Sequence, residues 1–364
     1  VTVARPTRRS LPLASEVESR RATREALPPV PTSFVPERLV DTRGREVRYL
    51  RISVTDRCDM ACVYCMPPGG EREHGLREEL LSFEEIARLV RAARPLGVRR
   101  VRLTGGEPLV RRDVVQLVAR IRDVGIEDLV MTTNASRLGP LASALAEAGL
   151  TGVNVSIDSL DPARFARITR GGSLPSVLAG LEAARAAGLT IKTNTVVVRG
   201  ENDDELPDLV RWAWSIGATP RFIELMPLGE GARLGADRLV PATEIRARLG
   251  DLVRDEALRA DPDRGPARYL PSVDGIHRVG LISAVTDEFC ASCNRLRVTA
   301  VGELRACLAS RRAISLRDVV RSGATDREVA WALTWALSEK ARGHAFGDLS
   351  VAEHTHVGMS LIGG

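Results

Sequence analysis

The chain has 364 residues, 52 basic and 47 acidic side chains, a net charge of +5 and six cysteines. That length suits about two domains, or one large α/β barrel with an appendage, and the 44% apolar fraction excludes disordered, collagen-like and small disulfide-dense classes. No run of about 18 apolar residues exists to span a membrane, and no apolar leader region opens the chain, so the expectation is a cytoplasmic protein with no membrane partner.

Residues 1–40 read as a disordered basic N-terminal extension. The first 31 residues hold six arginines, three glutamates and five prolines without a clear period. They supply +3 of the net charge, so little basic excess is left to bind nucleic acid. Only Lys192 and Lys340 are lysines; the other fifty basic residues are arginine. An ammonium is a compact point charge that a guanidinium does not replace. Lys340, at a helix end beside Glu339, reads as solvated.

From Val47 to Met226 short β-branched runs alternate with amphipathic stretches. Strands are expected at Tyr49–Thr55, Val98–Thr104, Asp128–Thr133, Gly152–Ile157, Thr190–Val198 and Arg221–Leu225. Helices are expected at Ser82–Arg94, Val114–Val124, Leu141–Ala148, Val177–Ala187 and Glu205–Ile216. Ser82 with Glu85 forms a capping-box pattern. Six βα units in a row predict an α/β fold, a partial (βα)6 TIM-like barrel over residues 41–228, with its chemistry at the C-terminal ends of the strands. After the Gly-rich break at Gly229–Gly235, residues 229–364 read as a C-terminal α+β domain ending in Gly363-Gly364.

The cysteines fall into two triplets, Cys58-x3-Cys62-x2-Cys65 directly after the first strand and Cys290-x2-Cys293-x13-Cys307 near the end. A structural zinc site wants four protein ligands, and each triplet offers three. Thiolate triplets suit iron–sulfur clusters, with one iron left for an exogenous ligand. Zinc completed by a remote His, such as His354 or His356, and buried unligated thiols are the other readings of the same donors.

Cys58-x3-Cys62-x-Tyr64-Cys65 resembles the cluster loop of radical S-adenosylmethionine enzymes. The runs Leu50–Cys58, Leu103–Pro108, Asn154–Ser159, Ile223–Pro227 and Cys290–Arg297, with Cys307 and the Gly-Gly end, resemble the GTP 3′,8-cyclase family of molybdenum cofactor biosynthesis, from about Val47 to Gly364. The resemblance implies two 4Fe–4S clusters, S-adenosylmethionine as cofactor and GTP as substrate. The cluster on Cys58, Cys62 and Cys65 would bind and reductively cleave S-adenosylmethionine; Tyr64, Gly106, Ser156 and Met226 would line that cofactor. The cluster on Cys290, Cys293 and Cys307 would anchor the purine of GTP. The implied reaction is conversion of GTP to (8S)-3′,8-cyclo-7,8-dihydroguanosine 5′-triphosphate. The family also implies a downstream partner, cyclic pyranopterin monophosphate synthase, and allows a homodimer.

A triphosphate needs fixed cations. Strand alternation sets Arg51, Arg102 and Lys192 on inward faces, and buried arginines are costly unless they meet anions. They match the family's GTP-contacting positions, as do Thr133, Arg295 and Arg297. The terminal glycines match a tail that enters the active-site pocket. Two rivals remain at this point: a two-cluster radical enzyme acting on a peptide, and a zinc-bound nucleic-acid or scaffold protein.

Overall fold

The computed structural model describes residues 23–69, 74–260, 265–310, 312–338, 340–344, 346 and 359–363. Six strands, β2 (Tyr49–Ser53), β3 (Arg100–Thr104), β4 (Asp128–Thr133), β5 (Gly152–Ser156), β6 (Thr190–Val197) and β7 (Thr219–Glu224), pair in parallel in chain order. Helices α1 (Phe83–Ala93), α2 (Val114–Asp123), α3 (Ala142–Glu147), α5 (Leu174–Ala186) and α6 (Leu206–Ser215) return the chain between them. These elements match the expected ones to within a few residues. Alternate strand residues such as Leu50, Ile52, Val101, Leu103, Leu129 and Met131 are fully buried against Ile86, Val90, Leu117 and Ile121 of the helices. Each such side chain removed from water contributes about 1.5–3 kcal/mol. The other faces point into the barrel.

Local signals set the helix ends. Ser82 Oγ accepts from Glu85 N at 3.1 Å, and Glu85 Oε2 accepts from Ser82 N at 2.7 Å, completing the capping box. Helix α4 (Pro162–Thr169) was not among the expected elements. Its signals are present: Asp161 caps Arg164 N at 2.6 Å, and Pro162 occupies the first helical position. Its buried Phe165 and Ile168 share one face, but the connection from β5 to β6 is already filled in sequence by the longer α5.

The C-terminal third extends the same sheet at both edges. Strand β10 (Arg278–Ile282) pairs in parallel with β7 and is followed outward by β9 (Arg268–Pro271) and β8 (Arg259–Ala260). On the far side β11 (Arg295–Val298) pairs in parallel with β2, then β12 (Glu303–Arg305) and β13 (Arg312–Ser315) follow. Eight adjacent strands, β11, β2 to β7 and β10, are thus parallel, and the sheet stays open. Helix α7 (Glu230–Arg233) follows β7, helices α8 (Ala242–Leu249), α9 (Leu316–Arg321) and α10 (Asp326–Ser338) cover these additions, and α11 (Met359–Ile362) precedes the last described residue. Among the described residues no helix is long and apolar enough to cross a membrane.

The N-terminal extension requires a correction from Thr23 onward. Strand β1 (Thr23–Arg24) pairs with β13, and Glu25 N donates to Ala313 O at 2.9 Å. Phe34 meets Trp331 edge-on at 5.0 Å, Trp331 Nε1 donates to Pro28 O at 2.9 Å, and Arg327 donates to Pro31 O and Phe34 O. Backbone carbonyls make most of these contacts, so no side-chain period announces them. Residues 1–22 lie outside the described residues.

Candidate active site

The loop after β2 carries the first triplet and is tied down from two sides. Val63 N donates to Ile168 O and Ala61 N to Thr169 O at the end of α4, while Arg170 Nη1 donates to Met66 O at 2.6 Å. Cys65 N and Met66 N both donate to Cys62 O, winding the ligand residues into a turn. On the other side, Gly106 N donates to Thr55 O and Glu107 N to Arg57 O. A Cβ on Gly105 would stand 2.3 Å from Thr55 O, and one on Gly106 2.4 Å from Arg57 O. Only glycines let the end of β3 lie against the cysteine loop this closely.

Cys58, Cys62 and Cys65 line one cavity of about 170 Å³ together with Tyr64, Gly106, Ser156 and Met226. All four residues expected to line the cofactor therefore meet beside the first triplet. Tyr64 Oη donates to Asp158 Oδ2 at 2.6 Å, and Asp158 Oδ1 accepts from Val196 N. Burial pushes Asp158 up to about 6. Glu107 accepts from Leu109 N, Asn134 N and the Thr133 hydroxyl. Burial outweighs these hydrogen bonds and pushes Glu107 up to about 7. None of the cysteines is in a disulfide. Burial raises the Cys58 thiol to about 12 and the Cys62 thiol well above its ordinary value. A bound metal ion displaces the proton of such a thiol and stabilises the thiolate, so three sulfurs on one cavity fit a metal cluster.

Deeper in the barrel the inward cations converge. Arg51, Arg102, Lys192, Arg295 and Arg297 are all less than a tenth exposed. Arg297 stands beside Arg51, and Arg51 beside Arg102, in neighbouring strands of one register row. Arg221 joins them from β7; its Nε and Nη2 are buried without a hydrogen-bond partner among the described residues, as is Asn154 Nδ2. Burial, with repulsion from Arg295, lowers Arg297 to about 10; burial, with repulsion from Arg102, lowers Arg221 to about 10 as well. Buried guanidinium donors such as those of Arg221 have the chemistry that suits a polyanion. Arg221 was missed because its strand was expected to begin there, so the alternation rule was not applied to it. Thr133, expected in this group, commits its hydroxyl to Glu107, while the neighbouring Thr132 Oγ1 accepts from Arg102 Nη1 at 3.1 Å.

The second triplet lies at the start and end of the β11–β12 hairpin. Cys290, Cys293 and Cys307 flank the strand that carries Arg295 and Arg297, and Arg295 Nη2 comes to 3.6 Å from Cys293 Sγ. Burial raises the Cys293 thiol, but Arg295 and Lys340 more than offset it and bring it down to about 6. Lys340 is therefore not solvated: it is 4% exposed. His344 stands beside Cys290, its ring stacked on Phe346 at 4.0 Å and its Nδ1 3.3 Å from Glu288 Oε1. The histidines considered as zinc ligands, His354 and His356, lie outside the described residues.

The tail enters the barrel. Gly363 is buried, and its carbonyl accepts from Arg297 Nη1 at 3.1 Å; Met359 lines the cavity of the first triplet. Gly364 lies outside the described residues.

Comparison with known proteins gives two family matches: the Radical SAM superfamily over residues 52–213 and Molybdenum Cofactor Synthesis C over residues 218–346. A GTP 3′,8-cyclase of Rhodopseudomonas palustris (strain TIE-1) is 43% identical over 346 residues, covering 92% of this chain and 98% of its own. One from Paracoccus denitrificans is 44% identical, covering 85% and 90%. One from Pelotomaculum thermopropionicum is 46% identical, covering 84% and 94%. With its open barrel, its paired thiol triplets and this level of identity across nearly the full length of those relatives, the chain belongs to the GTP 3′,8-cyclase family of radical S-adenosylmethionine enzymes.

Proposed function

We propose that this chain converts GTP to (8S)-3′,8-cyclo-7,8-dihydroguanosine 5′-triphosphate, the first step of molybdenum cofactor biosynthesis. The observation that carries the reading is the placement of a buried cation group between two thiol triplets in one barrel. Cys58, Cys62 and Cys65 would hold one 4Fe–4S cluster, and Cys290, Cys293 and Cys307 the other. When bound, the first cluster and S-adenosylmethionine supply a one-electron cleavage that generates a hydrogen-abstracting carbon radical.

The chain's own contribution is binding and exclusion. Tyr64, held by Asp158, with Gly106, Ser156 and Met226, orients the cofactor. Arg51, Arg102, Lys192, Arg221 and Arg297 grip the triphosphate, while Arg295 and the second triplet hold the base end. Pinning both ends of one nucleotide brings C3′ of its ribose and C8 of its purine into a reactive pose. The buried Gly363 tail helps keep water out. Release of the product to a cyclic pyranopterin monophosphate synthase completes the proposed role. The peptide-modifying rival leaves this buried cation group unexplained.

The test is anaerobic turnover of the reconstituted chain with S-adenosylmethionine and a strong reductant, quantifying 5′-deoxyadenosine with GTP, with ATP and with neither. Formation dependent on GTP supports the reading. Equal slow formation in all three would keep the first cluster and remove GTP as substrate. A preparation holding zinc in place of about eight iron atoms would remove the radical chemistry.

A further inference from the structure

A chain with fifty arginines keeps two lysines, and both are buried: Lys192 at 5% exposure in the barrel and Lys340 at 4% beyond the end of α10. The cation group in the barrel accounts for Lys192. Lys340 is absorbed by no step so far, and a buried ammonium costs several kcal/mol unless something compensates it.

Its surroundings show what compensates it. Lys340 Nζ donates to Arg295 O at 2.7 Å. The groups that attract its charge are the thiols of Cys293 and Cys307; Arg295 and Arg45 repel it. The segment around it is clamped onto the second triplet. Arg45, itself paired with Asp41 at 2.5 Å, donates to Cys290 O at 2.7 Å, to Ala341 O at 2.7 Å and to Arg342 O at 3.1 Å. The backbone N–H of His344 faces Cys290. Residues 340–344 thus form an outer wall of the triplet, with the ammonium fixed on the carbonyl of Arg295, two residues after Cys293. The contact made by Nζ is a single carbonyl.

We infer that Lys340 is a positioning residue for the second cluster, a fixed countercharge to the Cys293 and Cys307 thiolates that also pins the β11 backbone at Arg295. This rests on the proposed reading of that triplet as a cluster site. Net charge and hydrogen bonding around the sulfurs set a cluster's reduction potential, and a cation held close stabilises the reduced form. Lys340 therefore makes the second cluster easier to reduce than its thiolates alone would, and leaves the first cluster untouched.

The experiment uses the full-length chain carrying Cys58→Ala, Cys62→Ala and Cys65→Ala, so that only the second cluster assembles, with Lys340 intact, Lys340→Met and Lys340→Arg. Iron is counted, and the midpoint potential is read by redox titration followed by electron paramagnetic resonance. The expected result is equal iron in all three, a more negative midpoint in Lys340→Met, and recovery in Lys340→Arg. Equal midpoints with full iron would overturn the countercharge role. If Lys340→Met loses the cluster, retention by Lys340→Arg supports the charge role, whereas loss in both variants overturns it in favour of simple packing. Failure of the chain with Lys340 intact to take up iron would instead overturn the cluster reading of the triplet. In the chain with both triplets, an unchanged midpoint of the first cluster in Lys340→Met is also expected; a shift there would argue against a local effect.

Discussion

At the scale of single residues, the barrel interior is organised against its own stability. Arg221 is 2% exposed, with two donors lacking partners among the described residues and with repulsion from Arg102 and Arg100. Replacing it with methionine removes a buried charge and keeps the packing volume. The apo chain is expected to melt at the same temperature or higher, while GTP binding weakens by roughly 2 kcal/mol or more, about thirtyfold. Calorimetric titration and thermal melts on one preparation check both signs, and unchanged affinity would remove Arg221 from the phosphate group. Glu107 carries a second cost. Its value is raised from 4.5 to about 7 by burial. The folded state therefore holds this proton more tightly than the unfolded chain. The resulting stabilisation is full below pH 4.5, declines as pH rises to about 7, and changes no further above that. Denaturant unfolding of the apo chain across that window is expected to show this decline, and Glu107→Gln to flatten it. An equal slope in both proteins would mean the carboxyl does not titrate as its burial implies.

At the scale of elements, the strap from Thr23 to Phe34 extends the sheet past β13 and lies across α10. It contributes two ladder positions, an edge-on aromatic pair and carbonyl acceptors for Trp331 and Arg327. Deleting residues 1–34 is expected to cost roughly 2–4 kcal/mol relative to a chain beginning at Thr23, read as a lower unfolding midpoint. Equal midpoints would mean that the strap only rests on the surface. The same strap marks a limit of sequence reading. The six βα units were legible because short β-branched runs alternate with longer helical stretches, each closed by a glycine stop signal. The cysteine spacing was legible because ligation needs fixed residue types. The strap is held largely through backbone carbonyls, which any sequence supplies. Helix α4 has an apolar face and a cap of its own, but it shares the β5–β6 connection with the longer α5, which alone was read there; its end anchors the first triplet. Lys340 read as solvated because only the approach of β11, distant in sequence, buries it.

At the scale of the whole molecule, one end of the chain completes what the middle begins. The C-terminal third adds a parallel strand to each open edge of the six-stranded core, and β11 brings Arg295 and Arg297 into register with Tyr49 and Arg51 of β2. The cation group is thus shared between segments far apart in sequence, and it forms only once the chain has folded back on itself. Gly363 closes the arrangement: its carbonyl takes a hydrogen bond from Arg297, and an added Cβ would stand 2.4 Å from Thr104 Cγ2 and 2.6 Å from Ser53 Oγ. Its φ of +71° is a second reason for glycine. Because this residue follows the short α11 and belongs to no strand of the sheet, a side chain that cannot seat displaces this segment without tearing the core. Gly363→Ala is therefore expected to leave the melting temperature within about 1 °C and to reduce GTP-dependent 5′-deoxyadenosine formation at least roughly tenfold, an effect matched by deleting both terminal glycines. Full activity in the alanine variant would show that the tail fills space without shaping the pocket.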